Sequence, residues 1–273
     1  MYMRVFAIQD DDHPKTSVLG YLLYYDKAKS FYIELPPNAD PWEVPLLLSS
    51  LLKRGKHTVN AYWSKLWVQQ RIIPQDRQNL GQILKENKLD SYDEFSLLML
   101  GHGRCAQDSY YLKEIGIDAI PPEITDRWQY KVEDAVPLDG NQLLVFFRDG
   151  AVKKCDAEAM TAEFPGFASI MNNNALFQGV RIQTDGYGVM WGDHLTISDD
   201  DLYAKGVHVP VSMNDFLSFI KHRVLNSLEA QELLGCTRQN INDLVKRGSL
   251  HPIREDAKNK LFLRSEIEQR LNK

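Results

Sequence analysis

Near the C-terminus, two helix-forming stretches are separated by only Gly235-Cys236-Thr237. A connection that short forces two helices to pack at a steep angle. Ser227 suits the start of the first helix, whose inward residues are Ala230, Leu233 and Leu234. Gly235 ends it, because glycine alone adopts positive φ without steric cost. Thr237 suits the N-cap of the second, accepting a hydrogen bond from an N–H of the first turn. Ile241, Leu244 and Val245 follow at i, i+3, i+4 and predict one buried face. The opposite side presents Arg238, Gln239, Asn242 and Lys246, and Lys246-Arg247-Gly248 closes the helix. After it, residues 250–253 and 260–264 read as a hairpin around residues 254–259, and Ser265 as the cap of a last helix over 266–271.

An outer face of arginine and amide side chains suits duplex DNA. Arginine binds phosphate or guanine, and Asn or Gln pairs with adenine in the major groove. The expected DNA-contacting set is Thr237, Arg238, Gln239, Asn240, Asn242, Lys246 and Arg247 from the helix, with Lys258 and Lys260 from the hairpin. The wording S-L-E-A-Q-E-L-L-G-C-T-R-Q followed by R-G-S-L-H-P resembles the winged-helix DNA-binding domains of the MerR and excisionase type. The resemblance covers residues 227–273 and implies a winged helix-turn-helix that binds double-stranded DNA. It departs at Cys236, where a small β-branched residue is usual, and at the acidic pair Glu255-Asp256 on the hairpin tip.

Charge follows the same division. The chain carries 32 Lys+Arg and 37 Asp+Glu, net −5. Residues 227–273 hold nine basic and seven acidic side chains, net +2, which leaves −7 on the rest. A protein coated throughout for nucleic acid is therefore excluded, and a local DNA-binding module is not. At 273 residues, two or three domains are expected. With 44% hydrophobic and 25% charged residues the composition is that of a globular chain, not a disordered one. No apolar run approaches the length of a membrane helix, and the N-terminus does not read as a signal peptide, so no membrane association is expected. Three scattered cysteines, Cys105, Cys155 and Cys236, are no disulfide framework and fit a reducing cytoplasm.

The front of the chain reads as strands over residues 3–8, 18–25 and 30–35, with Asp26-Lys27-Ala28-Lys29 as a hairpin turn. Helical patterns follow over 44–52, from a cap at Thr58 through Trp63, Leu66 and Trp67, over 76–86, and from Asp90 to Leu100. Beyond Pro121-Pro122 the period shortens. The run 143–147, the turn Asp149-Gly150, residues 152–156, 180–183 and 189–191 predict a small antiparallel sheet, and residues 158–164 a short helix. The sequences V-F-F-R-D-G, F-A-S-I, A-L-F-Q-G-V-R-I, G-V-M-W and L-T-I-S-D-D-D-L-Y, across about residues 130–206, resemble the bacterial domain-of-unknown-function family 2442. Ser198 stands where that family commonly has proline. The resemblance implies a small α+β unit and suggests regulatory or antitoxin-like roles. Residues 212–225 read as a connecting helix with Phe216, Phe219, Ile220 and Val224 on one side and Ser212-x-x-Asp215 at its start.

Other clusters carry less. Gly101-His102-Gly103-Arg104-Cys105 pairs a His with a Cys but lacks an orienting acid, so a turn is expected there. Asp199-Asp200-Asp201 lacks calcium-loop spacing and fits a helix N-terminus, where carboxylates oppose the macrodipole. Asp193-His194 is a weak metal candidate, and Asp10-Asp11-Asp12-His13 a charged loop. Trp42, Trp63 and Trp67 are expected in the core rather than around a ligand. No catalytic site, metal or cofactor is expected, and the chain is not read as an enzyme.

The expected fold class is thus α+β multidomain: an N-terminal α+β domain (1–122), a small antiparallel-sheet middle domain (123–210), a connecting helix (211–226) and a C-terminal winged helix-turn-helix (227–273). The expected function is sequence-specific DNA binding by a bacterial transcriptional regulator. The alternative is an antitoxin-like or adaptor protein that binds a partner protein through its front domains, with residues 130–206 as the expected contact. A homodimer is expected, because one recognition helix reads only a few base pairs.

Overall fold

The computed structural model describes residues 3–12, 18–192, 195–256 and 259–271. The protein mixes helix with antiparallel sheet, an α+β chain. It divides into two compact units, Met1–Asp126 and Arg127–Lys273.

In the first unit, β1 (Met3–Asp10), β2 (Gly20–Tyr25) and β3 (Ser30–Glu34) form a meander. Helix α1 (Leu46–Leu52), strand β4 (Thr58–Val59), and helices α2 (Ala61–Gln69), α3 (Leu80–Glu86) and α4 (Glu94–Leu100) follow. Strand β5 (Tyr110–Ile115) and helix α5 (Pro122–Thr125) complete it. The sheet order is β4-β3-β2-β1-β5, antiparallel at every pairing. Alternation along the strands places Phe6, Ile8, Leu22, Tyr24, Phe31 and Ile33 on one face. They meet Leu48 and Leu52 of α1, Trp67 and Val68 of α2 and Leu98 of α4 in one buried cluster.

Three expectations change here. Thr58 lies in β4 rather than at a helix cap, and its hydroxyl donates to Glu34 Oε2 at 3.1 Å. Asn60 takes the cap, its Oδ1 accepting from the Trp63 N–H at 3.1 Å. Of Trp42, Trp63 and Trp67, only Trp67 is core, with the Arg71 guanidinium 3.9 Å from its ring centroid, whereas Trp42 is 83% exposed and Trp63 38%. Residues 76–79 precede α3 rather than starting it.

The second unit begins with β6 (Val132–Leu138), β7 (Gln142–Phe147) and β8 (Val152–Asp156). Short helices α6 (Ala157–Thr161), α7 (Ala168–Met171) and α8 (Asn174–Phe177) lead to β9 (Arg181–Ile182), β10 (Gly188–Trp191) and β11 (Leu195–Ser198). Helix α9 (Asp199–Lys205) and strand β12 (Val207–His208) follow. The sheets run β12-β8-β7-β6 and β11-β10-β9. Leu143, Val145, Phe147, Phe177, Val189 and Trp191 share their core, and Trp191 Nε1 donates to the Phe177 carbonyl at 2.8 Å. Gly186 adopts φ +79° with the Val132 carbonyl oxygen 2.2 Å from where a Cβ would sit, so only glycine fits. Asp199-Asp200-Asp201 form the first turn of α9 under the Ser198 cap, where their charge opposes the dipole. Asp193-His194 lies outside the described residues.

The rest of the unit is α10 (Met213–Arg223), β13 (Val224–Asn226), α11 (Ser227–Leu234), α12 (Arg238–Lys246), β14 (Arg254–Glu255), β15 (Lys260–Leu263) and α13 (Arg264–Leu271). Helix α10 starts on a full capping box between Ser212 and Asp215. It stops at Arg223, because residues 224–226 pair with β15 instead of continuing the helix. The side of α10 expected to carry Phe216, Phe219, Ile220 and Val224 together is divided. Phe219 packs edge-on against Phe146 with centroids 5.5 Å apart, while Phe216 and Ile220 are exposed.

Two ion pairs fix α10 to the β6–β8 sheet. Lys154 Nζ lies 2.9 Å from Asp215 Oδ2. Burial disfavours the Asp215 charge, yet Lys154 and the Ser212 N–H and hydroxyl hold its pKa below the ordinary value. At the other end, the Arg223 side chain, 2% exposed, lies between two acids. Its Nε is 2.5 Å from Asp134 Oδ1 of β6, an ion pair rather than an aligned hydrogen bond. Its Nη2 donates to Glu268 Oε2 of α13 at 3.3 Å, and Glu268 also accepts from Arg264 Nε at 2.8 Å. Burial pushes the Asp134 carboxyl up to about 6, against the pull of Arg223, the Ala135 N–H and the Ser265 hydroxyl.

Removing one partner of a buried ion pair leaves an uncompensated charge and costs about 3–5 kcal/mol. Arg223→Met is expected to lose stability on that scale by urea titration. Asp134 has a folded pKa above its unfolded value of 3.8, so the stability it contributes is complete below that value and is lost as pH rises through about 6. Without Arg223 its pKa rises further. The deficit of the variant should therefore be small in mild acid and grow towards alkaline pH. A deficit independent of pH would show that Arg223 does not hold the Asp134 charge.

Candidate nucleic-acid interface

Residues 224–271 build the candidate interface around a small core of Ala230, Ile241, Leu250, Phe262 and Ile267. Helix α11 is capped by Asn226, not Ser227. Asn226 Oδ1 accepts from the N–H groups of Leu228 and Glu229, and the Glu229 carboxylate accepts from the Asn226 N–H at 2.7 Å. The signal was in the sequence, since Asn226-x-x-Glu229 is itself a capping-box spacing. Ser227 instead exchanges hydrogen bonds with the Lys260 backbone, tying α11 to β15.

Gly235 ends α11 at φ +61°, as expected of a left-handed C-cap. Two residues later Thr237 Oγ1 accepts from the Asn240 N–H at 3.3 Å and starts α12. Ile241 is buried, and Leu244 and Val245 pack beside it. The i+4 row of Arg238, Asn242 and Lys246, with Gln239 beside it, lies away from those three. Arg238, Gln239, Asn240, Lys246 and Arg247 are exposed, and Asn242 is half-buried. Gln239, Asn242, Lys246 and Arg247 have no side-chain partner among the described residues, which leaves their polar ends available.

The hairpin is shorter than expected and shifted along the chain: residues 250–253 form no strand, and β14 falls at Arg254–Glu255, within the expected turn. Arg254 pairs with Leu261 and Glu255 with Lys260, closing around Asp256–Asn259 through an N–H to carbonyl bond of 2.9 Å. Pro252, with no N–H to donate, keeps the ladder from starting at residue 250. On the other side β15 pairs with β13, giving the sheet order β13-β15-β14. Lys260 is half-buried and bound by Glu255, whereas Arg254 is exposed on β14. Sequence reasoning did not select Arg254, although it directly precedes the acidic pair Glu255-Asp256. Lys258 lies outside the described residues. Ser265 does not cap the last helix. It is buried in the first turn of α13, and its hydroxyl bonds Asp134.

The interface therefore combines a capped helix with Arg238, Lys246 and Arg247 along its exposed side and a hairpin whose acid Glu255 is neutralised within it. Elsewhere, Gly101-His102-Gly103-Arg104-Cys105 forms a turn, with His102 at φ +49° and Arg104 paired to Asp11. Among the described residues no group of three or more His, Cys, Asp or Glu is placed to hold a metal ion. No helix among them is long and apolar enough to cross a membrane. Compared with known proteins, the chain matches no family model, no curated protein and no solved structure.

Replacing an N-cap threonine by alanine costs about 1 kcal/mol. Thr237→Ala is expected to raise amide exchange at Asn240 and through the first turn of α12 while leaving the β6–β8 sheet unchanged. Thr237→Ser should restore protection. Equal exchange in all three proteins would mean that the cap does not hold this helix.

Proposed function

We propose that residues 224–271 are a winged helix-turn-helix and that the protein is a sequence-specific DNA-binding regulator. The observation that carries this reading is the outer side of α12, where Arg238, Asn242 and Lys246 form one row with Gln239 beside it, turned away from the buried Ile241. A helix fits the major groove, guanidinium and amide groups match the hydrogen-bonding edges of guanine and adenine, and Lys246 and Arg247 supply phosphate contacts. Asn240 and the Thr237 cap orient the N-terminal end, whose free N–H groups favour a phosphate. Arg254 on the hairpin is a further exposed cation.

The mount supports the same reading. Arg223 and Glu268 join the reading element to the β6–β8 sheet through buried charges, so α12 is carried on a rigid base rather than on a loose linker. Such a base holds the reading helix in a fixed pose relative to the middle sheet.

Selection of bound sites from random duplexes, using the full chain, tests the proposal. Arg238→Ala with Gln239→Ala should abolish the preference for the selected site with the melting temperature unchanged. Unaltered affinity in the double variant would remove α12 as the reader. Lys246→Ala should weaken binding to all duplexes alike and reduce the slope of log K against log salt by about 0.9, one phosphate contact.

A further inference from the structure

One surface of the second unit has no explanation in the DNA reading. Helix α10 shows solvent a stripe of large apolar side chains: Met213 at 70% exposure, Phe216 at 52%, Leu217 at 56% and Ile220 at 43%. Val211, just before the cap, continues it at 47%. The stripe does not come from a loosely held helix. Asp215, Phe219 and Arg223 attach a different side of α10 to the β6–β8 sheet, and the Ser212 capping box fixes its first turn. An amphipathic helix this well anchored, with its second apolar side facing water, is an interaction surface.

We infer that this stripe is a homodimer surface on which α10 pairs antiparallel with α10 of a second copy. The spacing carries the inference. An isologous contact requires that if residue i meets j, then j meets i. A two-fold axis between Phe216 and Leu217 sets Phe216 against the second copy's Leu217 and Met213 against its Ile220, so each of the four large apolar residues on the helix finds one, and Val211 extends the contact at its end. The i, i+3, i+4, i+7 positions are those of a shallow helix–helix seam. No charged side chain interrupts the stripe, while Asn214 and Lys221, both exposed, supply a polar rim.

The area sets the strength. At about half exposure, large apolar side chains contribute on the order of 100 Å² each. The five residues of the two copies together bury roughly 1,000 Å², at the lower bound for a specific interface. The dimer is therefore weak and concentration-dependent. Because α10 is joined to α13 through Arg223 and Glu268, pairing α10 also fixes the separation of two α12 helices.

Sedimentation velocity on the full chain, without nucleic acid, tests the inference independently of DNA binding. The wild-type chain should shift from monomer to dimer between low and high micromolar concentration. Met213→Glu and Ile220→Lys should each weaken association about tenfold or more, since each buries an unpaired charge. An equimolar mixture of the two variants should regain dimer as a heterodimer, because the antiparallel register sets the new carboxylate against the new ammonium. Both exchanged positions are exposed, so unchanged melting temperatures are expected and separate lost pairing from lost folding. A wild-type chain that remains monomeric at hundreds of micromolar overturns the inference. So does a mixture no more dimeric than its components, which would reject the antiparallel register.

Discussion

The buried guanidinium of Arg223 is the constraint on which the C-terminal half depends. It lies between Asp134 of β6 and Glu268 of α13, groups 89 and 45 residues away in the chain. Charges at such depth are costly to desolvate and are retained only where geometry compensates them. The compensation here is shared: Ala135 and Ser265 satisfy Asp134, and Arg264 satisfies Glu268. A core of apolar contacts alone tolerates sliding, because dispersion and burial are non-directional. A four-membered charge chain does not, and it fixes the angle at which the small C-terminal core meets the middle sheet.

That fixed angle gives the hairpin a second role. In this protein β15 is paired on both sides, with β14 and with the segment β13 that leads out of α10. Strand β15 is therefore the middle of a three-stranded sheet that continues the connecting segment. Its acidic residues, unexpected in an element that would approach phosphate, are employed locally: Glu255 binds Lys260, and Asp256 accepts from the Asn259 N–H. Lys246 and Arg247 at the end of α12 and Arg254 on β14 are exposed cations. Field direction in this part of the chain thus follows from which acids are paired, more than from the net charge of the segment.

The proposed reading helix and the proposed pairing helix belong to the same compact unit. Each couples a buried anchor to an exposed chemistry, amide and guanidinium on α12 and apolar side chains on α10. A regulator needs both, since one short helix contacts too few base pairs to specify a site alone.

Local signals in the sequence determined the elements at the C-terminus. Gly235, Thr237 and the spacing of Ile241, Leu244 and Val245 act within a few residues of themselves, so α11, the turn and α12 were legible, as were the first three strands and the turns at Asp149-Gly150 and Gly101–Cys105. The outward placement of Arg238, Gln239 and Lys246 followed from helical period alone. Strands β5, β6 and β13 were not legible. Tyr110–Ile115 hides its alternation behind Lys113 and Glu114, the latter facing Arg4 across 110 residues. Val132–Leu138 contains Asp134 and Pro137, and Val224–Asn226 reads as the end of a helix until β15 pairs with it. The division of α10 between an anchored and an exposed side was equally hidden. Its outcome depends on Asp134, Phe146, Lys154 and Glu268, whose approach to α10 is set by sheet closure and not by any residue near them in the chain. Periodicity and capping are written locally, whereas strand partners and buried charge partners are chosen by the whole packed structure, and only that structure decided them.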